Sequence, residues 1–396
     1  MNIHRPLIAL AASAVALLTT TAAAAPYIPA SGQQVIETLP RRGDPAQQEL
    51  RRLRSQLNAA PTDIALATTL AQRYIALGRS ETDPRYLGYA QAALAPWWDQ
   101  PAPPPAVRLL RATLLQSTHH FDAALADLDG VLAAAPDNAQ AWLTRATVQT
   151  VRGDYAGATA SCARLSNLAN ELVTIACIAN VGAATGRALR SEQLLDLTLQ
   201  RSAGAPVDQQ VWALTLLAEM SARRGDAGAA EARFRQALAL TPTDSYLQGA
   251  YADFLLDRQR PADVLDLLKD QTRIDALLLR HALALRQLSG HDGALAAEAV
   301  DLAARFGAAM QRGDTVHQRE QARFELHLRH NPRAALELAR QNWSVQKEAA
   351  DVRIYLEAAL QAHDRAAAKP VLDWLAASHA EDNAAARLVQ QLKTGT

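Results

Sequence analysis

The chain repeats itself at a spacing of 34 residues. Residues 111–114 read Arg-Ala-Thr-Leu, and residues 145–148, which lie 34 positions later, read Arg-Ala-Thr-Val. At the same offset, positions of matching size coincide: Phe121 with Tyr155, Ala124 with Ala158, and Leu128 with Cys162. A period of this length is typical of a unit that cannot bury its own apolar face and stacks on its neighbours instead. The period therefore predicts a repeat array rather than two ordinary globular domains.

The same pattern returns later, in Leu217-Ala218, Gly225, Ala230, Phe234, Ala237 and Pro242. It resembles the tetratricopeptide repeat family, whose 34-residue unit consists of two helices joined by a turn. The resemblance is strong in residues 105–138 and 211–244, good in 139–172, degenerate in 173–210, and fades from 245 to 396. An earlier unit follows Pro61, with Leu70-Ala71, Tyr74 and Gly78 at the corresponding places. The resemblance implies an all-α fold, a right-handed superhelical solenoid of antiparallel helix pairs with degenerate C-terminal repeats.

Helix boundaries follow from this register and from the turn residues. We expect a first helix at 44–58, helix pairs at 62–78/86–95, 106–118/121–134, 139–151/155–168, 172–185/188–201, 208–223/227–240, 244–257/261–271, 273–288/292–311, 315–329/332–346 and 350–362/366–378, and a last helix at 381–393. The proline-rich run 97–105 is expected to interrupt the array, because proline disfavours helix at and before its own position. For Trp97 and Trp98 within it, we favour packing over an exposed anchor.

The first 25 residues differ from the rest. Met1 to Arg5 carries a positive charge, residues 7–18 form an apolar run, and residues 22–25 are four alanines. This order is typical of a secretory signal peptide, and the apolar run is shorter than the ~20 residues of a bilayer span. An uncleaved anchor is the alternative. The expected organisation is a signal peptide at 1–25, a flexible linker at 26–44, the array at 45–380, and a capping helix and tail at 381–396.

The amino-acid composition and the motifs that the sequence lacks limit the functions that are expected. Lysine plus arginine and aspartate plus glutamate number 40 each, with no basic stripe, which argues against a nucleic-acid partner. The sequence contains no GxSxG, GxxxxGK[ST] or GxGxxG motif and no marked pair of catalytic carboxylates, so we expect neither enzymatic activity nor a cofactor. The alanine- and arginine-rich composition suggests a bacterium, and with the signal peptide it predicts a periplasmic or secreted protein without a membrane span in its mature form.

The two cysteines lie at similar distances from a predicted turn. Cys162 belongs to the second helix of one pair and Cys177 to the first helix of the next, with Asn170 near the middle of the connection. Residues equidistant from a hairpin turn lie opposite each other, so we expect a disulfide in an oxidising compartment. Two buried free thiols are the alternative.

Three histidines are the best candidates for a metal site. His327 and His330 lie three residues apart on a predicted helix, and His317 precedes them by ten. Neighbouring positions on one helical face could hold a metal. No HExxH motif or cysteine pair accompanies them, so we interpret them as surface histidines and predict no metal ligands. An exported metal-binding protein is the alternative function.

The family resemblance also implies a binding groove, because the first helix of each unit lines the concave face of the superhelix. The corresponding residues are Leu109, Thr113, Gln116, Gln140, Thr147, Thr150, Trp212, Glu219, Arg223, Tyr246 and Asp253. Their hydroxyls, amides, aromatic rings and charges of both signs suit a polar peptide or a loop of a partner. The lysine and asparagine clamp with which some members hold a C-terminal carboxylate is not reproduced. A solvated groove without a partner is the alternative for each residue. We expect a non-enzymatic scaffold or adaptor for another protein of the cell envelope.

The tripeptide Arg-Gly-Asp, known as a cell-adhesion signal, occurs at 42–44, 152–154, 224–226 and 312–314. In the repeat register, Gly153 and Gly225 share one position between the two helices of a unit. Glycine there tolerates the left-handed conformation that ends a helix, and the aspartate that follows can cap the next helix. We therefore interpret these two triplets as turns of the fold rather than as adhesive ligands.

Overall fold

The structure is a computed structural model, and it describes residues 44–394 together with residues 31 and 33. The predicted signal peptide and nearly all of the predicted linker lie outside these residues. Contacts divide the chain into two units, residues 1–49 and residues 50–396. In the first unit, Asp44 caps the first helix, since its Oδ1 accepts a hydrogen bond from the Ala46 amide at 2.9 Å.

The described residues form helices and no β-strand, as predicted. The helices are α1 (Pro45–Ala59), α2 (Ile64–Ser80), α3 (Arg85–Ala93), α4 (Ala95–Trp98), α5 (Pro105–Ser117), α6 (Phe121–Ala134), α7 (Ala139–Arg152), α8 (Tyr155–Ala163), α9 (Glu171–Ala183), α10 (Ala188–Arg201), α11 (Val207–Arg224), α12 (Ala227–Leu240), α13 (Ser245–Asp257), α14 (Pro261–Leu268), α15 (Asp275–Gln287), α16 (Asp292–Gln311), α17 (Gln318–His327), α18 (Pro332–Val345), α19 (Ala349–Gln361), α20 (Lys369–Ser378) and α21 (Asn383–Thr394). Leaving out α1, the short α4 and the terminal α21, they form hairpin pairs from α2/α3 to α19/α20.

Several predicted elements differ from the observed ones, and three of them illustrate the difference. The helix expected over 155–168 ends at Ala163 and continues as a 3-10 turn over Arg164–Asn167, and the one expected over 261–271 ends at Leu268. The run expected to interrupt the array begins with α4, where Pro96 stands in the first turn and needs no amide partner. Trp97 in this turn is buried, with 7% of its surface exposed, which agrees with a packing role.

Small residues at two repeat positions allow the helices of a pair to approach closely. Six alanines occupy these positions and are almost completely buried: Ala112 and Ala124, Ala146 and Ala158, and Ala218 and Ala230. The larger Leu128, Cys162 and Phe234, at a third position, are equally buried. Because alanine adds little bulk at the crossing point, the bulky side chain can fill the space toward the next pair.

Each of the nine hairpin turns contains one residue in the left-handed conformation. These residues are Thr82, His119, Gly153, Gly186, Gly225, Gln259, Gly290, His330 and His363, with φ between 50° and 88°. After Gly153 and Gly225, the side chains of Asp154 and Asp226 accept hydrogen bonds from Gly157 N at 2.9 Å and Ala229 N at 3.1 Å. The two Arg-Gly-Asp triplets therefore end one helix and cap the next.

The first helices of the pairs stand side by side. From α2 through α19, each first helix contacts the first helix of the next pair, so together they form one continuous inner wall. The second helices pack behind it, and in α16 this contact buries Leu302, Phe306 and Ala309. No helix among the described residues is long and apolar enough to cross a membrane.

Candidate binding chamber

Three side chains from two neighbouring inner helices meet inside the superhelix. Asp244 caps α13 by accepting a hydrogen bond from Leu247 N at 2.9 Å, which sets Tyr246 in the first turn of that helix. The Tyr246 hydroxyl donates to Glu219 Oε1 on α11 at 2.9 Å. One helical turn beyond Glu219 stands Arg223, which forms no hydrogen bond or ion pair with any described residue.

Residues from distant pairs complete this space. Arg319 on α17 binds Glu348, the residue before α19, at 2.9 Å. Glu219, Glu348 and the loss of bulk solvent together raise the pKa of Tyr246 well above its ordinary value, although Arg319 opposes them. Tyr246 nevertheless exposes 63% of its surface, so its ring faces solvent at the inner wall. We call this space the chamber and define it by Tyr155, Glu219, Arg223, Tyr246, Arg319 and Glu348.

Burial is the largest effect on the pKa of two chamber residues, Glu219 and Tyr155. It raises the pKa of Glu219, with Glu348 acting in the same direction and Arg223 and the Tyr246 hydroxyl opposing it. It also raises the pKa of Tyr155, again reinforced by Glu348. Both groups therefore hold their protons more tightly than they would in water. The chamber offers two carboxyl groups, two phenols and two guanidinium groups, which suit hydrogen bonding and charge recognition.

Beyond the chamber, the inner wall is bridged by ion pairs. Asp253 on α13 binds Arg280 on α15 at 2.6 Å and Arg323 on α17 at 2.8 Å. Asp257 at the end of α13 binds Arg353 on α19 at 2.7 Å. Because α13 and α19 belong to pairs three places apart, this last contact shows how tightly the inner wall curves.

The part of the chain that contains Glu219, Arg223 and Tyr246 matches a known protein family. Residues 179–297, from within α9 to the start of α16, match the family model of the tetratricopeptide repeat. Residues 179–297 are tetratricopeptide repeats. The matched region includes the unit at 211–244, in which the sequence pattern is strong, and extends into pairs in which it fades.

Several solved structures, among them tetratricopeptide repeat proteins, are similar at low identity. A tetratricopeptide repeat protein from Parabacteroides merdae is 14% identical, with 73% of this chain and 98% of that chain covered and a TM-score of 0.37. A human IFIT1 dimer with PPP-AAAA is 14% identical, covering 88% and 86%, with a TM-score of 0.36. The P58(IPK) TPR domain is 14% identical, covering 88% and 93%, with a TM-score of 0.24. Such scores do not establish a shared arrangement of the repeats. No curated protein matches the chain in sequence.

The predicted groove residues fall into separate groups. Glu219, Arg223 and Tyr246 come together in the chamber. Asp253 is engaged by Arg280 and Arg323, as described above. Gln140 is exposed and donates to Thr144 at 3.1 Å, whereas Gln116, Thr147 and Thr150 are half-buried on the inner helices, as are Leu109 and Trp212, which pack against core clusters.

Thr113 does not belong to an exposed groove. It is 9% exposed, and its hydroxyl donates to the Leu109 carbonyl of its own helix at 2.9 Å. This position contributes to packing, and we leave it out of the chamber.

Sequence reasoning missed Tyr155, Arg319 and Glu348. Tyr155 begins a second helix, whereas the groove was assigned from first helices only. Arg319 and Glu348 lie in pairs whose repeat signature has faded, so the register that located Tyr246 does not extend to them. No local motif marks either residue.

The histidines have structural explanations. His327 Nε2 donates a hydrogen bond to the ionised Glu357 carboxylate at 3.1 Å, and the His327 backbone carbonyl accepts one from Arg286 at 2.6 Å. His330 is the left-handed residue of its turn, a conformation that histidine adopts more readily than most residues. Among the residues that the structure describes, no group of three or more His, Cys, Asp or Glu side chains is arranged to hold a metal ion.

The two cysteines are joined in the structure. A disulfide links Cys162 on α8 to Cys177 on α9, with 5.6 Å between their Cα atoms. It fastens the second helix of one repeat to the first helix of the next.

Proposed function

We propose that the protein is a non-enzymatic interaction scaffold of the bacterial cell envelope, and that it binds a polar polypeptide segment of a partner in the chamber. The observation that carries the proposal is Tyr246, a large aromatic side chain that stands 63% exposed on the inner wall while its hydroxyl is fixed by Glu219. Aromatic residues held rigidly at a concave surface are typical anchors of protein interfaces. Tetratricopeptide repeats serve widely as protein-binding modules, which supports the proposal.

Two features support export. Residues 1–25 have the charge, apolar run and small residues of a cleavable signal peptide. The disulfide between Cys162 and Cys177 suits the periplasm or the exterior, because cytosolic thiols are kept reduced. We infer a periplasmic or secreted mature protein that begins near residue 26.

The deciding experiment is affinity capture from the native envelope with the tagged mature protein, its Tyr246→Ala variant and a Val300→Ala control. Val300 is 71% exposed and lies on α16, a helix that contributes no residue to the chamber. We expect a captured protein that Tyr246→Ala loses and Val300→Ala retains, with a weakening of about thirtyfold in Kd, typical of an aromatic hot spot.

The proposal fails if every captured protein binds Tyr246→Ala as well as the wild type, provided that the variant has a wild-type circular dichroism spectrum. Purification of the full chain from its native host tests export. A mature N-terminus close to Pro26 in the periplasmic fraction is expected, and an intact Met1 in the cytoplasmic fraction contradicts export.

A further inference from the structure

Several hairpin turns of the first five pairs touch residues far along the chain. The Thr82 hydroxyl donates to Ser245 Oγ at 2.8 Å, across 163 positions. The Lys347 amide donates to the Val151 carbonyl at 2.7 Å. Asn383 Nδ2 donates to the Arg224 carbonyl at 2.7 Å, across 159 positions. We call this line of contacts the seam; it joins the turns of pairs α2/α3 to α11/α12 with residues 245–383.

The seam contacts follow the same order along both stretches of the chain that they join. Earlier turns meet earlier partners: Thr82 meets Ser245, Val151 meets Lys347, Gly186 meets His379, and Gly225 meets Asn383. Tyr155, next to the Gly153 turn, also packs against Trp374, with ring centroids 6.2 Å apart. A parallel order of this kind means that the later repeats lie along the edge of the earlier ones, as one turn of a coil lies on the turn before it.

Three glycines show that this packing is close. A Cβ atom on Gly225 would lie 2.7 Å from Asn383 Nδ2, and one on Gly186 would lie 2.9 Å from the His379 Cβ. One on Gly153 would lie 3.2 Å from the Lys347 Cδ. The turn of α15/α16, which has no seam contact, also carries a left-handed glycine, Gly290, but nothing lies within 4 Å of its Cβ position.

The inner wall narrows where the later pairs face one another. The ion pair between Asp257 and Arg353 spans from α13 to α19 at 2.7 Å, and the one between Asp253 and Arg323 spans from α13 to α17 at 2.8 Å. A helix with its side chains is about 10 Å across, so no partner helix fits between residues that touch directly.

We propose that the seam closes the long edge of the groove, so that the chamber admits an extended polypeptide segment but excludes a folded domain. This inference rests on the proposed function, which gives a polypeptide as the ligand. It adds the shape that this polypeptide must have. The chamber groups suit such a segment, since Arg223 and Glu219 can bind charged side chains or peptide groups of either polarity. A partner presenting a preformed helix or a globular face would have to separate the seam first.

Cysteine labelling tests this without any partner. The native cysteines are already joined, so Tyr246→Cys in the chamber and Val300→Cys on α16 each provide one free thiol. Three probes are used: N-ethylmaleimide, a maleimide on a short unstructured peptide, and a maleimide on a small folded protein. Rates with the last two are divided by the rate with N-ethylmaleimide, which corrects for thiol reactivity.

We expect the peptide probe to label both thiols at similar corrected rates, and the folded probe to label the chamber thiol at least about tenfold more slowly than the outer thiol. Equal corrected rates with the folded probe would overturn the proposal. Slow labelling by both the peptide and the folded probe would also overturn it, because the chamber would then admit neither class.

A second variant distinguishes a closed wall from one that opens. Thr82→Cys combined with Ser245→Cys places two thiols where the hydroxyl oxygens now lie 2.8 Å apart, and oxidation locks the seam. If the seam is a wall, locking leaves the labelling of Tyr246→Cys by the peptide probe unchanged. If locking abolishes that labelling, the segment enters through the seam, and the proposal is wrong. Failure to capture a partner in the envelope experiment would leave these labelling results standing.

Discussion

At the scale of single residues, the left-handed turns show how one backbone requirement is met in different ways. Thr82, His119 and His330 adopt the conformation with a side chain, at a modest cost in strain. Gly186 and Gly225 occupy equivalent turns where later residues of the chain come within van der Waals distance of the backbone. Glycine at these two positions therefore serves two purposes, a permitted backbone angle and the absence of a Cβ.

Substitution by alanine separates the two purposes. Gly186 and Gly313 have nearly the same φ, 71° and 72°, but only Gly186 has a neighbour within 4 Å of its Cβ position. We expect Gly313→Ala to cost about 1–2 kcal/mol from backbone strain alone, and Gly186→Ala to cost about 1–3 kcal/mol more because His379 must move. Thermal denaturation of both variants checks this, and equal losses of stability would show that the seam is not tightly packed at Gly186.

At the scale of helices, the inner wall of α13 to α19 depends on charges that are paired away from bulk water. Glu357 on α19 accepts from Arg353 at 2.8 Å and contacts His327 at 3.1 Å. Burial alone would raise the pKa of Glu357, but the hydrogen bond with His327 and the charge of Arg353 lower it to about 2 from 4.5. Folding therefore favours the ionised form of Glu357.

This shift predicts an acid-dependent loss of stability. Because the folded pKa lies below the unfolded one, the contribution of Glu357 is complete above the unfolded value and is lost as the pH falls toward about 2. In Glu357→Gln, that dependence is absent, so the stability difference between wild type and variant should shrink by about 2 kcal/mol between about pH 6 and about pH 3. Denaturant titrations at several pH values measure it, and parallel curves would contradict the assignment. The pKa of Asp253 is also lowered despite its burial, because Arg280 and Arg323 face it. Asp253 is present in both the wild type and the variant, so its contribution cancels in the difference between their stabilities.

Features that recur in every repeat could be predicted from the sequence, whereas contacts between distant repeats could not. The alanines, the bulky residues and the turn glycines recur every 34 residues because each unit meets the same neighbours, so the period predicted the helix pairs and their turns. The positions of Glu219, Arg223 and Tyr246 on the inner wall followed from that register. Lys347 and Asn383, by contrast, reach their partners only through the sum of small rotations between successive pairs, and no single unit encodes that sum.

At the scale of the whole second unit, the seam changes how a repeat array should unfold. In an open array, each repeat contacts only its neighbours, and unfolding can begin and stop at many places. Here the Lys347 amide is bound to the Val151 carbonyl, so loss of α7 also removes a partner of the segment before α19. The two stretches are thereby coupled.

We predict one cooperative transition for the wild type, with tryptophan fluorescence and far-ultraviolet circular dichroism coinciding. In a background in which Trp97, Trp98, Trp142 and Trp212 are replaced by phenylalanine, the remaining Trp343 and Trp374 report on the later pairs, whereas circular dichroism reports on all helices. In the double variant Gly186→Ala/Gly225→Ala, added Cβ atoms force the seam apart, and the fluorescence transition should precede the other. Two separated transitions in the wild type would show that the seam does not couple the repeats.

The parallel order of the seam contacts also limits how the gene for this protein can gain or lose repeats. A free-ended array can gain or lose a unit by duplication or deletion, since every other interface is left as it was. In this chain, a unit inserted between α12 and α13 would displace each later residue by one place, and Asn383 would no longer stand opposite Gly225. Every seam contact would be mismatched at once. The number of repeats in this protein is therefore held constant by its own structure, and relatives that share the seam should vary in sequence and in loop length but not in repeat count.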